Sequence, residues 1–235
     1  MNYNKARTSI IITTATILCV LFISAFLTSN VIDVYSENTT VNDRTCVIID
    51  AGHGGIDGGA VSCTGVEESH INLDIALRLN DLMNLLGIHT YMIRTEDVSV
   101  YTSGNSIAAK KVSDLKERVR IINQKKNAIL ISIHQNYFPD SQYSGAQAFY
   151  YSDMALAKQL QTALVNTLNP NSKRKAKKAD GIYLLQNVKC PAALIECGFL
   201  SHHKEEEMLR DPEYQKKLSC IIGSVVSCYI YNSVA

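Results

Sequence analysis

Short apolar runs and longer stretches with apolar residues at helical spacing alternate along residues 45–235. The short runs predict strands at 46–49, 89–94, 128–133, 146–151 and 192–195. The longer stretches predict helices at 69–86, 110–124, 153–168 and from 212 onward. Because strands alternate with helices, the pattern indicates an α/β fold with three layers: a twisted, mostly parallel sheet and helices on both of its faces.

The apolar stripes of these helices predict which faces are buried. The first stripe consists of Ile71, Ile75, Leu79, Leu82 and Leu86, and Gly87 follows as a C-terminal cap. The second consists of Leu115, Val119 and Ile122. The last helix begins at Asp211–Pro212, where Asp is a suitable cap and Pro suits the first turn. We expect each stripe to pack against the sheet or a neighbouring helix.

The N-terminal segment has a different pattern. After Arg7 no charged residue occurs until Asp33, so residues 8–32 form an uncharged run of 25 residues. Because roughly 20 apolar residues span a bilayer as a helix, we predict a transmembrane signal-anchor at 8–32, with residues 1–7 in the cytoplasm. Residues 33–44 would be a linker, and residues 45–235 an exported domain on the extracytoplasmic face of the membrane. A long cleaved signal peptide is the alternative.

The overall charge is nearly balanced, at +1, so the chain has no general preference for acidic partners. One local exception is residues 173–178, which carry five positive charges in six positions. We predict a solvated loop there, with attraction of an anionic polymer or an acidic partner as the alternative. Nucleic-acid binding is not expected, because no aromatic residues are interleaved with these charges and the domain is predicted to be exported.

The seven cysteines do not form a metal-binding or redox motif, because no two of them make a C-x-x-C pair. Cys19 lies in the predicted anchor, and the other six are scattered over the exported domain. Those at predicted strands and on the last helix, Cys46, Cys190, Cys197, Cys220 and Cys228, are expected to act as small buried side chains rather than to form disulfide bonds.

Three apolar runs lead to side chains that can bind a metal or carry a proton. The run at 46–50 leads to His53, the run at 128–133 to His134, and the run at 192–195 to Glu196. In open α/β sheets, ligands bind outside the carboxyl ends of the strands, so these residues can converge there. Two imidazoles and a carboxylate in one place indicate an enzyme that binds a divalent metal.

Five glycines surround His53 in the segment Asp50–Gly59. Asp57 occupies the third glycine position of a G-x-G-x-x-G motif, so the segment is not a phosphate-binding loop. An incidental surface histidine is the alternative for His53 alone. Further along, Glu67 and Glu68 begin the first helix, where acidic side chains are also favoured by the helix dipole.

Taken together, the segments resemble the zinc-dependent N-acetylmuramoyl-L-alanine amidases of the amidase type 3 family. The family's marks are a G-H-G-G-x-D-x-G-A loop, a G-x-x-E helix start, an S-I-H strand end and an E-x-G-F strand end. They are present in order at 52–60, 65–68, 132–134 and 196–199. The resemblance implies a phosphorylase/hydrolase-like fold and hydrolysis of the amide between N-acetylmuramic acid and L-alanine in peptidoglycan.

The resemblance also implies roles for individual residues. His53, Glu68 and His134 would bind Zn²⁺, and Glu196 would be the catalytic carboxylate that moves the proton. Glu68 is preferred to Glu67 because it matches G-x-x-E-x-x-x-x-L. Asp57 and Asn136 would orient a ligand or the substrate. His202 and His203, which stand where relatives commonly have Ser-Asn, are expected on the surface; tuning of the proton affinity of Glu196 is the alternative.

One domain on an N-terminal anchor resembles the germination-specific amidases of spore-forming bacteria. This likeness implies activity on spore-cortex peptidoglycan and a location in the forespore intermembrane space. An accessory protein is compatible with the sequence but cannot be read from it. Two other functions stay open: another zinc peptidoglycan hydrolase, a peptidase or a deacetylase, and a catalytically silent wall-binding protein on the same scaffold.

Overall fold

A computed structural model of the chain describes residues 45–234. The predicted anchor at 8–32 and the predicted linker at 33–44 lie outside the described residues. Among residues 45–234, no helix combines the length and the apolar character that crossing a bilayer requires.

The centre of the fold is a sheet built from six strands of the described residues. They are β1 (Cys46–Ala51), β2 (Thr90–Met92), β3 (Ala128–Asn136), β4 (Gln147–Tyr150), β5 (Lys177–Lys178) and β6 (Ala192–Phe199). Their order across the sheet is β2-β1-β3-β6-β4-β5. β2, β1, β3 and β6 are parallel to one another, whereas β4 is antiparallel to β6 and parallel to β5. The predicted α/β sheet is therefore confirmed as a mixed sheet.

Six helices of the described residues cover the sheet. They are α1 (Glu68–Leu85), α2 (Ile107–Gln124), α3 (Met154–Leu168), α4 (Tyr183–Asn187), α5 (His203–Arg210) and α6 (Pro212–Val234). Alternate residues of β1 separate two cores, as the two-residue period of a strand requires. Val47 and Ile49 pack with apolar residues of α1, α3 and α6, whereas Cys46 and Ile48 pack with those of α2 and α4. Helices therefore cover both faces.

The predicted stripe of α1 is buried only in part. Ile71, Ile75 and Leu79 are buried, but Leu86 caps the helix and is exposed. Gly87 follows with φ of 74°, in the left-handed region where glycine is favoured, as expected of a C-terminal cap. The stripe therefore identified the packed face, but it extended one turn too far toward solvent.

The predicted stripe of α2 is correct only in part: Ile122 is buried and Val119 packs against the core, but Leu115 is not buried. Leu115 is 39% exposed, whereas Asp114 and Arg118 are buried on the side that faces the sheet. The physical reason is that these two side chains bond each other, with Arg118 Nε donating to Asp114 Oδ2 at 2.6 Å. Paired and hydrogen-bonded charges can be buried, and apolar periodicity does not detect them.

The basic segment 173–178 is not entirely a loop, which corrects the prediction. Lys177 and Lys178 form the edge strand β5 and keep exposed side chains. Arg174 donates to Ser144 O and to Gln147 Oε1, at 2.8 and 3.0 Å. An edge strand needs backbone hydrogen bonds on one side only, so charged side chains are compatible with it.

The six cysteines of the described residues are free thiols, in agreement with the prediction that they form no disulfide bond. Of the five that are expected to be buried, only Cys46 and Cys197 are. Cys220 and Cys228 are exposed, and Cys190 is half-buried; Cys63 is also exposed. Cys19 lies outside the described residues.

Candidate functional site

The parallel strands bring the predicted site residues to one edge of the sheet. β1 ends in the glycine-rich loop that carries His53, and the neighbouring strand β3 carries His134 near its end. In the register between β3 and β6, His134 stands opposite Glu196. Because the carboxyl ends of parallel strands lie at the same edge, residues from three distant segments meet there.

His53, Glu68 and His134 form a cluster, each with one potential ligand atom within 4.8 Å of the other two. Glu68 lies between the histidines: its Oε2 is 3.3 Å from His53 Nε2, and its Oε1 is 3.0 Å from His134 Nδ1. Two imidazole nitrogens and one carboxylate oxygen are a donor set typical of catalytic zinc sites, which keep a further position open. The cluster is therefore a candidate metal site.

Three hydrogen bonds, from a loop, from α1 and from β3, hold the Glu68 carboxylate between the histidines. Its Oε2 accepts from Ala60 N at 3.0 Å, and its Oε1 accepts from Gln135 N and from Asn72 Nδ2, both at 3.1 Å. Burial opposes ionisation of Glu68, but the bonds to His134 and His53 outweigh it and hold its pKa well below the usual range. Glu68 is therefore a preformed anion.

The neighbouring Glu67 lies outside the cluster. It is the N-cap residue of α1, and its carboxylate lies beside Gly58. Of the two candidates at the helix start, only Glu68 contacts both histidines.

Asp57 holds the ring of His53 from the opposite side. Its Oδ2 is 2.9 Å from His53 Nδ1, and its Oδ1 is 2.6 Å from Lys111 Nζ. Burial lowers the pKa of His53, but the hydrogen bonds to Asp57 and Glu68 outweigh it and raise that pKa to about 9. Metal-binding histidines commonly have such a carboxylate on their second nitrogen, which sets the ring orientation. Asp57 lies in the position for this role.

The structure does not bring Asn136 into the cluster. A register shift lies between His134 and Asn136, and the Asn136 backbone carbonyl accepts from Leu200 N at 2.8 Å. Among residues 45–234, the Asn136 side chain makes no hydrogen bond to a cluster residue. Its predicted orienting role therefore has no contact to support it.

Glu196 is the second carboxylate at this edge. Its Oε2 is buried and has no hydrogen-bond partner among the described residues. Burial raises the pKa of Glu196 to about 7; His134 and His53 lower it, and Glu68 raises it further. A carboxyl group with such a pKa can accept and return a proton near neutral pH.

Buried ion pairs that the sequence pattern does not predict lie beneath the His53 loop. Arg118 pairs with Asp50 and Asp114, and donates to the carbonyls of Ala51 at 2.9 Å and His53 at 2.6 Å. Burial favours the neutral acid of Asp50, but Arg118 outweighs it and keeps the pKa of Asp50 below its usual range. The charge of Asp50 at the end of an apolar strand was the one signal available for this pairing.

A second buried arginine holds the same loop. Arg94 donates to the carbonyls of Ala51, Gly52 and Ser69, at distances of 2.9, 3.0 and 2.8 Å. Gly52 also packs directly on the His134 ring, so that a Cβ at this position would overlap the imidazole. The loop is therefore fixed both by its carbonyls and by contact with the cluster.

A cleft of about 390 Å³ opens beside the cluster. Its lining includes His53 and His134, with Lys111 and Leu115 from α2 and Tyr183 from α4. Leu115, which the predicted stripe would bury, is exposed and forms part of the cleft wall. The cleft offers both polar and apolar contacts next to the candidate metal site.

A mixed α/β sheet with a His–Glu–His donor set and a separate protonatable glutamate is typical of metal-dependent hydrolases. The family described as N-acetylmuramoyl-L-alanine amidase matches residues 47–226, and the chain belongs to this family. The predicted family and the predicted enzyme class are thereby confirmed.

Proteins named as N-acetylmuramoyl-L-alanine amidases are similar to this chain over most of its length. The germination-specific N-acetylmuramoyl-L-alanine amidase of Bacillus subtilis is 41% identical over 181 residues, which is 75% of this chain and 76% of that protein. The CwlD amidase of Clostridioides difficile, solved in complex with the GerS lipoprotein, is 38% identical with a TM-score of 0.76, covering 81% of this chain and 99% of that one. Another N-acetylmuramoyl-L-alanine amidase, from Clostridium difficile 630, is 30% identical with a TM-score of 0.67, over 80% and 97% of the two chains.

Proposed function

We propose that the chain hydrolyses the amide bond between N-acetylmuramic acid and L-alanine in spore-cortex peptidoglycan, with Zn²⁺ bound by His53, Glu68 and His134. The observation that carries the proposal is Glu196, a carboxylate with an unpartnered buried oxygen next to this donor set. The cortex as substrate is supported by the 41% identity to a germination-specific amidase.

The proposed chemistry divides the work between the metal and the protein. Zinc, when bound, supplies Lewis-acid polarisation of the scissile carbonyl and lowers the pKa of water. Glu196 takes the proton of the attacking water and passes it to the departing amine of L-alanine. Burial raises the pKa of Glu196 above its ordinary value, which favours holding the proton between the two transfers.

The other residues of the site position these groups. Asp57 holds the His53 ring through Nδ1, which leaves Nε2 directed toward Glu68. Arg118 and Arg94 hold the carbonyls of the loop from Ala51 to His53. Such preorganisation matters because small misplacements of catalytic groups are costly to the rate.

We also propose that residues 8–32 anchor the enzyme in the membrane, with the catalytic domain on the extracytoplasmic face, in the forespore intermembrane space. The uncharged run of that segment after Lys5 and Arg7 supports this orientation. An accessory lipoprotein is a proposed partner, because the C. difficile relative was solved in complex with one.

Mass spectrometry of muropeptides tests the proposed reaction. Purified cortex peptidoglycan is incubated with the zinc-loaded full-length protein, with Glu196→Gln, and with Glu67→Gln as the matched control. We expect stem peptides beginning in L-alanine and glycan without stems from the wild type and Glu67→Gln, but not from Glu196→Gln. Trimmed peptides or deacetylated sugars would contradict the proposal, as would equal activity of Glu196→Gln.

A further inference from the structure

A second group of metal-binding side chains lies outside the site described above. Cys63 precedes α1, and His203 and Glu206 lie on α5; one potential ligand atom of each is within 4.8 Å of the other two. The group shares no residue with the His53, Glu68 and His134 cluster. We propose that Cys63, His203 and Glu206 form a second zinc site.

Glu206 forms the base of the proposed site. It is fully buried, and its Oε1 accepts from Ser62 Oγ at 3.1 Å and from Thr64 Oγ1 at 2.5 Å, and lies 2.8 Å from Arg210 Nε in an ion pair. Its Oε2 accepts one long hydrogen bond, from Arg210 Nη2 at 3.4 Å. One oxygen thus fixes the orientation of the carboxylate, and the other keeps lone pairs for a metal.

The loop that carries Cys63 is also held in place. Ser62 N donates to Val66 O at 2.8 Å, which closes the loop, and Cys63 N donates to Leu200 O at 3.3 Å. The hydroxyls of Ser62 and Thr64 tie the same loop to Glu206. The backbone therefore positions the thiol next to α5 before any ligand binds.

The two remaining donors are accessible. Cys63 and His203 are exposed, and neither side chain makes a hydrogen bond within residues 45–234. His203 and Glu206 are three positions apart on α5, a spacing that places side chains on the same helix face. A metal can therefore enter from solvent and meet all three donors.

The donor types select the metal. A thiolate, an imidazole and a carboxylate suit Zn²⁺, whereas Ca²⁺ and Mg²⁺ prefer all-oxygen sites. Three protein ligands leave the fourth tetrahedral position for water. Binding requires the thiolate of Cys63, so the thiol proton is released to solvent as the Zn–S bond forms.

Zinc at this position would join two segments that lead to the catalytic residues. The Cys63 loop runs directly into Glu68 at the start of α1, and α5 follows β6, which carries Glu196. Because a bound metal stabilises the state that binds it, we expect zinc that joins the Cys63 loop to α5 to raise the melting temperature.

Cobalt substitution separates the two sites. Thiolate-bound Co²⁺ gives a charge-transfer band in the near ultraviolet, and the catalytic cluster contains no cysteine. We expect the full-length, untagged protein to develop this band on Co²⁺ titration and to lose it when Zn²⁺ is added. Glu68→Gln should keep the band, because the second site does not use Glu68.

Surface variants provide the controls. Cys63→Ser and His203→Asn should abolish or strongly weaken the band and bind one zinc fewer by elemental analysis, whereas Cys220→Ser, at another exposed thiol, should behave as the wild type. Absence of the band in the wild type, or its persistence in Cys63→Ser, would overturn the proposal. Muropeptide cleavage is measured separately, so failure here leaves the proposed reaction untouched.

Discussion

At the scale of single residues, Glu196 is an ionisable side chain that follows a run of buried apolar residues. It follows the buried segment Ala192–Ile195 of β6, and its Oε2 has no partner among the described residues. A buried carboxylate without a donor favours its neutral form, which is why the pKa rises to about 7. The same feature that suits proton transfer is therefore a cost to the folded state once the group ionises.

Glu196→Gln should reveal this cost as a pH dependence of stability. The folded pKa of Glu196, about 7, lies above the ordinary 4.5, so the wild type should lose stability as pH rises from 4.5 to about 7. The glutamine variant lacks this loss, and we expect it to gain on the order of 2 to 3 kcal/mol relative to the wild type over that interval. Urea unfolding at pH 5 and pH 8 measures this difference in the free energy of unfolding, after a chelator has removed metal from both proteins. The same pH dependence in both proteins would contradict the prediction.

Gly52→Ala should displace a proposed metal ligand. The added Cβ would overlap the His134 ring, so we expect weaker zinc binding and a loss in kcat/KM of roughly 100-fold. Gly87→Ala is the control: a Cβ at Gly87 would meet open space, so any loss there comes from its positive φ of 74° and not from contact with the cluster. Metal content and muropeptide release are measured for both variants, and the idea fails if Gly52→Ala retains normal values.

At the scale of elements, the sequence predicted the positions of the strands better than it predicted which side of α2 is buried. β1, β3 and β6 are buried in their apolar segments, so a run of apolar letters locates them, and the side chain at the end of each run follows directly. α2 instead directs Asp114 and Arg118 toward the sheet. The spacing of apolar residues predicts which apolar side chains are buried, but it cannot predict the burial of charged ones. It therefore predicted burial of Leu115, which instead lines the cleft.

Arg118→Lys should weaken the attachment of α2 to the His53 loop. Lysine cannot reproduce the planar set of donors that Arg118 directs at Asp50, Asp114 and two carbonyls. We expect a loss of about 3 kcal/mol in the free energy of unfolding, since breaking a buried pair is strongly destabilising.

Arg120→Lys, on the same helix, is the matched control for Arg118→Lys. Its partner is Glu117, and the Arg120 side chain is exposed to solvent. Exposed pairs contribute little, so we expect a much smaller change than for Arg118→Lys. Urea unfolding of both variants decides the matter: similar losses would show that burial of the Arg118 pairs is not the cause.

At the scale of the whole molecule, the candidate metal site links β1, α1 and β3. Bound zinc should therefore stabilise the domain as a unit, by about 2.7 kcal/mol at a zinc concentration 100 times the Kd. We expect a chelator to lower the melting temperature and stop muropeptide release, and added zinc to restore both. The measurement is made in Cys63→Ser, so that the second proposed site does not contribute; unchanged melting and activity after chelation would contradict the prediction.

The sequence by itself determined the succession of the longer strands and helices, the residues at the strand ends and the family to which the chain belongs, but not the short elements β5, α4 and α5. These properties depend on local periodicity and on short motifs, both of which are written in consecutive residues. Only the tertiary structure decided that His134 stands opposite Glu196, that Arg118 is buried, and that Cys63 meets His203 and Glu206. The physical reason is that ion pairs, groups of potential metal ligands and the pKa of Glu196 all depend on distances between residues that are far apart in the chain.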